Sequence, residues 1–382
     1  MPAPKYISAI FCRYAAQICK CAVRFQSDGP APRLLNNYKG VNSRCLEASA
    51  MATIDLKVGY SCNDACIHCV VDDFRDSLKE KHLKQDKSLA EITEEMTAAR
   101  CRGDLLVVTG GEPTIRPDFW EILTCAKELG YRIMLQSNGR AFSKYEFAEK
   151  LKDFRSIISF CIALHGHTAE IHDTVTQRPG SFAETVQGLK NIHSLGFVFG
   201  NKIVISKYNY AILPQLCEKL AELHSSRADI AYPHAVGRAG KFWEKVVPAY
   251  SDIAPFVARA VKVLENAGIS IGLETFPFCM AEGGEQYIGE LQQQMQTYAE
   301  INQYGSDAGI ENWSKLRLSI KRKFPRCRGC RFNLLCEGPW SEYALKCGGE
   351  EFKPVYGERC GDVRHVMSGK HRIEFQEAGL FF

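Results

Sequence analysis

The chain has no uninterrupted apolar run approaching the ~18 residues that a bilayer crossing needs, which excludes a membrane-spanning helix. It also lacks the basic start, short apolar stretch and small-residue cleavage site of a secretory signal, so export is not expected. Neither sign of charge is in excess. Lys and Arg number 48 against 44 Asp and Glu, a formal net charge of +4, so the global balance implies no attraction to nucleic acid. Internal repeats and low-complexity segments are absent as well. With 382 residues and 46% hydrophobic content, what remains is a soluble globular protein with one large α/β domain and an appendage, or two modest domains.

Cysteine, in contrast, is plentiful at 17 residues. Without an export signal these are read as reduced thiols of a cytoplasmic protein, available to metal, and not as a disulfide framework. The first 27 residues carry Lys5, Arg13, Lys20 and Arg24 with no acid before Asp28, a mild match to an organellar targeting segment. A disordered leader, or a start at Met51, is the preferred reading of the same residues. Residues 1–50 are therefore set apart as a leader, and their Cys12, Cys19, Cys21 and Cys45 as bystanders. Cys101, Cys125, Cys161 and Cys217 are expected to be small buried hydrophobes on helices and strands.

From Ile54 onward, short β-rich runs alternate with amphipathic helical stretches: IDLKVGY, a helix opened by the capping box Ser88 to Glu91, LLVVTGG, a helix over 117–129, then RIMLQ. A helix at 145–151 follows, then ISFCIAL, a helix at 181–195, KIVIS, a helix at 213–224 and DIAYP. Six β/α units in succession describe a parallel sheet with helical crossovers. In such folds ligands gather at the C-terminal strand ends. The cysteine loop SCNDACIHC follows the first strand, GGEP the second, SNG the third and LHGH the fourth, so four unusual clusters share one rim. After about residue 240 come a helix over 253–267, a strand ISIGLETF, a polar helix over 284–299 and a cysteine-rich tail.

Cys62, Cys66 and Cys69 offer three thiols where a structural zinc site takes four ligands. His68 supplies a fourth donor, but two adjacent residues bite poorly on one ion. A [4Fe–4S] cube held by three thiolates instead leaves one iron open to a cofactor or substrate. In spacing and position this loop resembles the C-x3-C-x2-C signature of the radical S-adenosylmethionine superfamily, with His68 where relatives commonly carry an aromatic residue. The resemblance implies a partial (β/α)6 TIM-like barrel over 51–240 and an open iron that chelates S-adenosylmethionine. Reductive cleavage would then give a 5′-deoxyadenosyl radical that abstracts hydrogen from substrate. It also implies cofactor contacts: Gly110, Gly111, Glu112 and Pro113 for the methionine amino group, His68 through its backbone, and Ser137, Asn138, Arg178 and Asn209 near cofactor or substrate. SNG is equally a β-turn whose Asn-Gly supplies positive φ. Relatives often carry a serine where this chain has Ala163, which removes one ribose contact.

The tail motif CRGCRFNLLCEGPW resembles the SPASM/twitch modules of the same superfamily, assigned here to 241–382. The resemblance implies one auxiliary [4Fe–4S] cluster on Cys327, Cys330, Cys336 and a fourth ligand. Cys279 is favoured for that place over Cys347 and Cys360, and an iron left open toward substrate, as in the molybdenum-cofactor GTP cyclase, is a further alternative. Trp340 occupies the place of the additional cysteine that a second auxiliary cluster expects. A zinc knuckle on the same cysteines is the other reading. Lys315, Arg317, Lys321, Arg322, Lys323, Arg326, Arg328 and Arg331 form a run without an acid, read first as neutralising an anionic cluster and second as a dock for an anionic substrate, an acidic peptide or RNA.

The expectation is a radical enzyme acting on a small biosynthetic intermediate or a peptide. A small molecule, or a peptide bound without a leader-binding domain, is somewhat favoured, because 53 residues before the first strand are too few for a complete domain of that kind. A low-potential donor such as flavodoxin or ferredoxin would supply electrons, and activity would be lost in air. The rivals are a non-catalytic iron–sulfur electron carrier or regulator, which leaves GGEP unexplained, and an RNA-modifying enzyme using the basic tail.

Overall fold

The computed structural model describes residues 53–291, 298–301 and 310–368, all within a compact unit spanning 49–382. The leader and its four cysteines lie outside the described residues. Seven parallel strands curl into a half-barrel: β1 (Thr53–Lys57), β2 (Leu105–Thr109), β3 (Arg132–Ser137), β4 (Ile158–Ala163), β5 (Phe199–Val204), β6 (Arg227–Ala231) and β7 (Ser270–Glu274), paired in chain order. Two short strands extend the β1 edge, β8 (Tyr298–Ile301) parallel to β1 and β9 (Ile310–Asn312) antiparallel to β8.

Period-two alternation decides which face each side chain takes. On β4 the even positions Ile158, Phe160 and Ile162 are buried under helices while Ser159, Cys161 and Ala163 are half-buried on the concave side. Ile54, Leu56, Leu106, Val108, Ile133, Leu135, Ile203, Ile230 and Leu273 repeat this on the other strands, each contributing about 1.5–3 kcal/mol by burial. The concave face is polar. It carries Lys57 on Asp55 at 3.3 Å, Thr109 on Gln136 at 3.0 Å, Arg227 on Asp229 at 2.8 Å, and an ion pair between Lys202 and Glu274.

The helices are α1 (Asp72–Glu80), α2 (Leu89–Ala99), α3 (Phe119–Glu128), α4 (Ala169–Thr176), α5 (Ser181–Ser194), α6 (Leu213–Glu222) and α7 (Tyr250–Asn266). Of these, α2, α3, α5, α6 and α7 fall where the periodicity places them, and α1 and α4 are additional to it. The helix expected at 145–151 is a short helical turn, Tyr145–Glu149, that runs into the 3-10 segment Lys150–Phe154. The expected capping box opens α2. The Ser88 hydroxyl accepts from the Glu91 N–H at 3.3 Å, and the Ser88 N–H donates to the Glu91 carboxylate at 2.6 Å.

Three expectations need correction. The strand ISIGLETF is β7, the seventh strand of the same sheet, because its alternation continues the core rather than founding a new one. The polar helix expected over 284–299 is not continuous: Glu285–Tyr287 is a 3-10 turn, Tyr298 already lies in β8, and 292–297 lie outside the described residues. Cys101 is exposed just past α2, whereas Cys217 is fully buried as expected.

Candidate active site

The loop carrying Cys62, Cys66 and Cys69 follows β1 at the C-terminal rim and is pinned along its whole length. At its start, Asp86 accepts from the Tyr60 and Ser61 N–H groups at 2.9 and 3.0 Å. In its middle, Asn138 donates to the side chains of Asn63 and Asp64 at 2.7 and 3.0 Å, and Arg140 donates to Asp64 at 2.6 Å. Arg140 and Arg178 both donate to the Asn63 carbonyl at 2.9 Å. Ala65 and Ile67 hydrogen-bond through their N–H groups to the carbonyls of Thr176 and Val175 at the end of α4. At its end, the Cys69 carbonyl accepts from the Arg238 N–H at 3.0 Å, with Gly237 so close that a Cβ there would stand 2.4 Å from that oxygen at a φ of +57°. Groups following β1, β3, β4 and β6 thus all hold this one loop.

The GGEP element acts on the same loop. The Gly111 and Glu112 N–H groups donate to the Gly59 and Ser61 carbonyls, each at 2.8 Å. A Cβ on Gly110 would stand 2.3 Å from the Gly59 oxygen, and one on Gly111 2.1 Å from the Ser61 oxygen. The two glycines therefore serve a close approach of the chain to itself. Gly111→Ala is expected to push Ser61 and Cys62 outward and to lose half of the iron taken up on reconstitution with the circular dichroism spectrum unchanged; iron analysis per protein checks it.

Glu112 is buried. Its Oε1 accepts from the Thr114 N–H, the Thr114 hydroxyl and the Ser137 hydroxyl at 3.0, 2.6 and 2.8 Å, and its Oε2 from the Asn138 N–H at 2.7 Å. Burial raises its carboxyl pKa and these donors pull against that rise. Carboxylate oxygens carry about two acceptor sites each, so Oε2 has room for one further donor. Pro113 opens the 3-10 turn Pro113–Ile115 that presents Thr114 to Glu112. Asn209 is fully buried and committed to backbone: its amide donates to the carbonyls of His165 and Val204 and its oxygen accepts from Ser206 N–H. His68 is buried with its Nδ1 unpartnered and its ring edge-on to His165, 4.6 Å between centroids, and burial lowers its pKa to about 4.

The three thiols suit an anionic donor set. Burial raises Cys62 to about 12 and raises Cys66 and Cys69, so the thiolate form requires positive charge beside it. Donors are already aimed at sulfur, the Asp64 N–H at Cys62 at 3.4 Å and Arg75 at Cys69 at 3.7 Å, and Arg75 is itself held by Asp72 at 2.8 Å. Among the described residues no group of three His, Cys, Asp or Glu side chains is placed to hold one metal ion. A single zinc would need sulfurs within ~4 Å of one another, as its ~2.3 Å bonds require. Three thiols on one rim loop are the donor set that a cube with one open iron takes.

In the tail, Cys279, Cys327, Cys330 and Cys336 line one cavity together with Phe278, Phe324 and Phe352. Burial raises the Cys279 thiol, and the three other cysteines, near enough to act on it electrostatically, raise it further. Cys347 is exposed and Cys360 buried, and neither lines the cavity. Trp340 stacks on His234 with centroids 4.1 Å apart and has Lys321 over its ring at 5.0 Å. Its place is thus filled by aromatic and cationic packing. Arg317 and Lys321, two of the eight cations of the basic run, are buried: Arg317 forms a two-pronged pair with Glu337 at 2.8 and 2.6 Å, and Lys321 bridges Glu290 at 2.5 Å and Glu337 at 3.1 Å.

The sequence reading missed Asp64, Asp86, Arg140, Arg238 and Glu290. Asp64, inside the cysteine loop, and Arg140, directly after SNG, carried a positional hint.

Residues 56–220, which include the rim loop, match the Radical SAM superfamily, a family that uses a [4Fe–4S] cluster and S-adenosylmethionine. Among curated proteins it is 29% identical over 238 residues to the mycofactocin maturase MftC of Mycobacterium ulcerans, covering 61% of this chain and 60% of that one. It is 28% identical over 188 residues to the AdoMet-dependent heme synthase of Methanosarcina barkeri, covering 49% and 52%. The chain thus spans about half to three-fifths of the length of these relatives. Among solved structures it shares its fold with Streptococcus suis SuiB bound to precursor peptide SuiA, at a TM-score of 0.56 and 15% identity over 93% of this chain and 88% of that one. No helix among the described residues is long and apolar enough to cross a membrane.

Proposed function

We propose that this protein modifies a peptide by hydrogen-atom abstraction, using a [4Fe–4S] cluster on Cys62, Cys66 and Cys69 with S-adenosylmethionine, and one auxiliary cluster on Cys279, Cys327, Cys330 and Cys336. The observation that carries the reading is the pinning of the three-cysteine loop by groups following four different strands, because a reactive centre needs its ligands held in one geometry. When bound, these cofactors supply one-electron cleavage of a sulfonium carbon–sulfur bond and a carbon radical for hydrogen abstraction.

The chain's own residues do the positioning. Glu112 Oε2, with its one protein donor, is the place for the methionine ammonium. Asn138, Arg140 and Arg178 keep Asn63 and Asp64 fixed, so the span between Cys62 and Cys66 does not flex. Arg75 donates to Cys69 and stabilises its thiolate. The polar concave face, with Lys202, Glu274, Asp229 and Gln136, offers hydrogen-bonding and charged partners to a peptide backbone and its side chains. A reduced compartment such as the cytoplasm suits the many free thiols.

The similarity to a maturase and to the peptide-bound fold supports the peptide over the small molecule; the similarity to a heme synthase keeps a small biosynthetic intermediate as the second reading. The test is isotope transfer. A substrate peptide deuterated in its side chains is expected to yield deuterium-labelled 5′-deoxyadenosine by mass spectrometry. Label transferred only from small-molecule candidates would reject the peptide reading.

A further inference from the structure

The basic run divides in two. Arg317 and Lys321 are buried against Glu337 and Glu290 and serve the fold. Arg322 and Arg328 are exposed instead, and with Lys323, Phe324, Pro325 and Leu345 they line a surface groove with no acidic residue in its wall. Leu345 is 70% exposed there, so the groove combines apolar contact with a one-signed rim of charge, the composition of a protein-docking face. Its position is informative. Lys323, Phe324 and Asn333 line both this groove and the cavity of the four cysteines and form the wall that the two share. Phe324 is stacked on Phe352 with centroids 5.5 Å apart, which fixes that wall.

We propose that this groove docks an acidic one-electron carrier protein that reduces the auxiliary cluster through the shared wall. The proposal rests on the reading of the tail cysteines as cluster ligands. In the step the carrier loses one electron and the cluster gains it; no bond is made or broken and no proton moves. Opposite charge accelerates encounter and makes it salt-sensitive, while the exposed leucine supplies short-range contact.

The experiment uses reconstituted full-length protein with Cys62, Cys66 and Cys69 changed to Ala, so that the tail cluster alone bleaches on reduction. Stopped-flow absorbance follows reduction by a hydroquinone flavodoxin and, separately, by dithionite. In the double variant R322E/R328E the flavodoxin rate constant is expected to fall at least tenfold while the dithionite rate holds, and the unreversed protein's flavodoxin rate should drop steeply between low and high salt. An unchanged flavodoxin rate in the double variant overturns the dock. Salt-sensitive RNA retention that disappears in the double variant while the flavodoxin rate holds also overturns it and assigns the groove to nucleic acid. Absence of any dithionite bleaching rejects the cluster reading itself, and the dock with it.

Discussion

Replacing Lys321 with Met is expected to destabilise the protein by about 3–5 kcal/mol, because the change leaves the carboxylates of Glu290 and Glu337 buried without their shared cation. The consequence reaches the tail cavity. Glu290 also accepts from the Thr275 N–H at 2.8 Å, and Thr275 is a β-branched residue held at a φ of +62°, a conformation retained only when its surroundings enforce it. Thr275 stands three residues before the 3-10 turn Phe278–Met280 that carries Cys279, and Glu337 directly follows Cys336. One buried network therefore braces both sides of the cysteine set. Burial pushes the Glu290 carboxyl up, but Lys321 and the neighbouring donors outweigh it and hold the carboxyl below its ordinary 4.5. Because the folded value is the lower one, this stabilisation is complete above pH 4.5 and is lost as pH falls through the folded value. Thermal melts across acidic pH are expected to show that loss in the parent and to show it diminished in Lys321→Met. Equal melting temperatures for the two proteins at neutral pH would remove the network from the account.

Changing Cys279 to Ala is expected to remove half of the iron from reconstituted protein, whereas the same change at Cys347 or Cys360 should leave the iron content as it was. The difference follows from which thiols line the cavity. The iron remaining in Cys279→Ala belongs to the rim loop, so S-adenosylmethionine cleavage driven by dithionite should persist at a measurable rate. Iron quantitation and the near-visible absorbance of each variant check both statements. If the change at Cys360 proved to be the one that loses iron, the assignment of the fourth ligand would be wrong.

Much of this was legible from local pattern. The strand runs β1 to β6, the capping box of α2 and the four rim clusters could be read because period-two burial and cap chemistry involve near neighbours only. The pinning of the cysteine loop could not. Arg178 reaches Asn63 across 115 positions and Asn138 reaches Asp64 across 74, and no local rule pairs residues so far apart. GGEP was visible as a motif, but its glycines were assigned to cofactor approach, whereas their missing Cβ atoms admit Gly59 and Ser61 of the chain itself. The basic run misled for a related reason. It contains no acid, yet Glu290 and Glu337, from outside it, neutralise its buried Arg317 and Lys321, and only the fold shows which cations remain at the surface. Beyond residue 240 the sequence suggested a separate module, because the β/α rhythm weakens there. Yet β7 completes the half-barrel from that side of the boundary, and β8 extends its other edge.

The central claim is that the pinned loop Cys62–Cys69 is the site of reductive S-adenosylmethionine cleavage. The direct measurement is 5′-deoxyadenosine formed by anaerobically reconstituted protein with dithionite and S-adenosylmethionine, quantified by mass spectrometry beside the variant in which Cys62, Cys66 and Cys69 are all Ala. The account predicts steady formation by the parent and none by the variant, with tail iron retained in both. Retained tail iron with no 5′-deoxyadenosine from either protein would contradict it and leave an iron–sulfur electron carrier in its place.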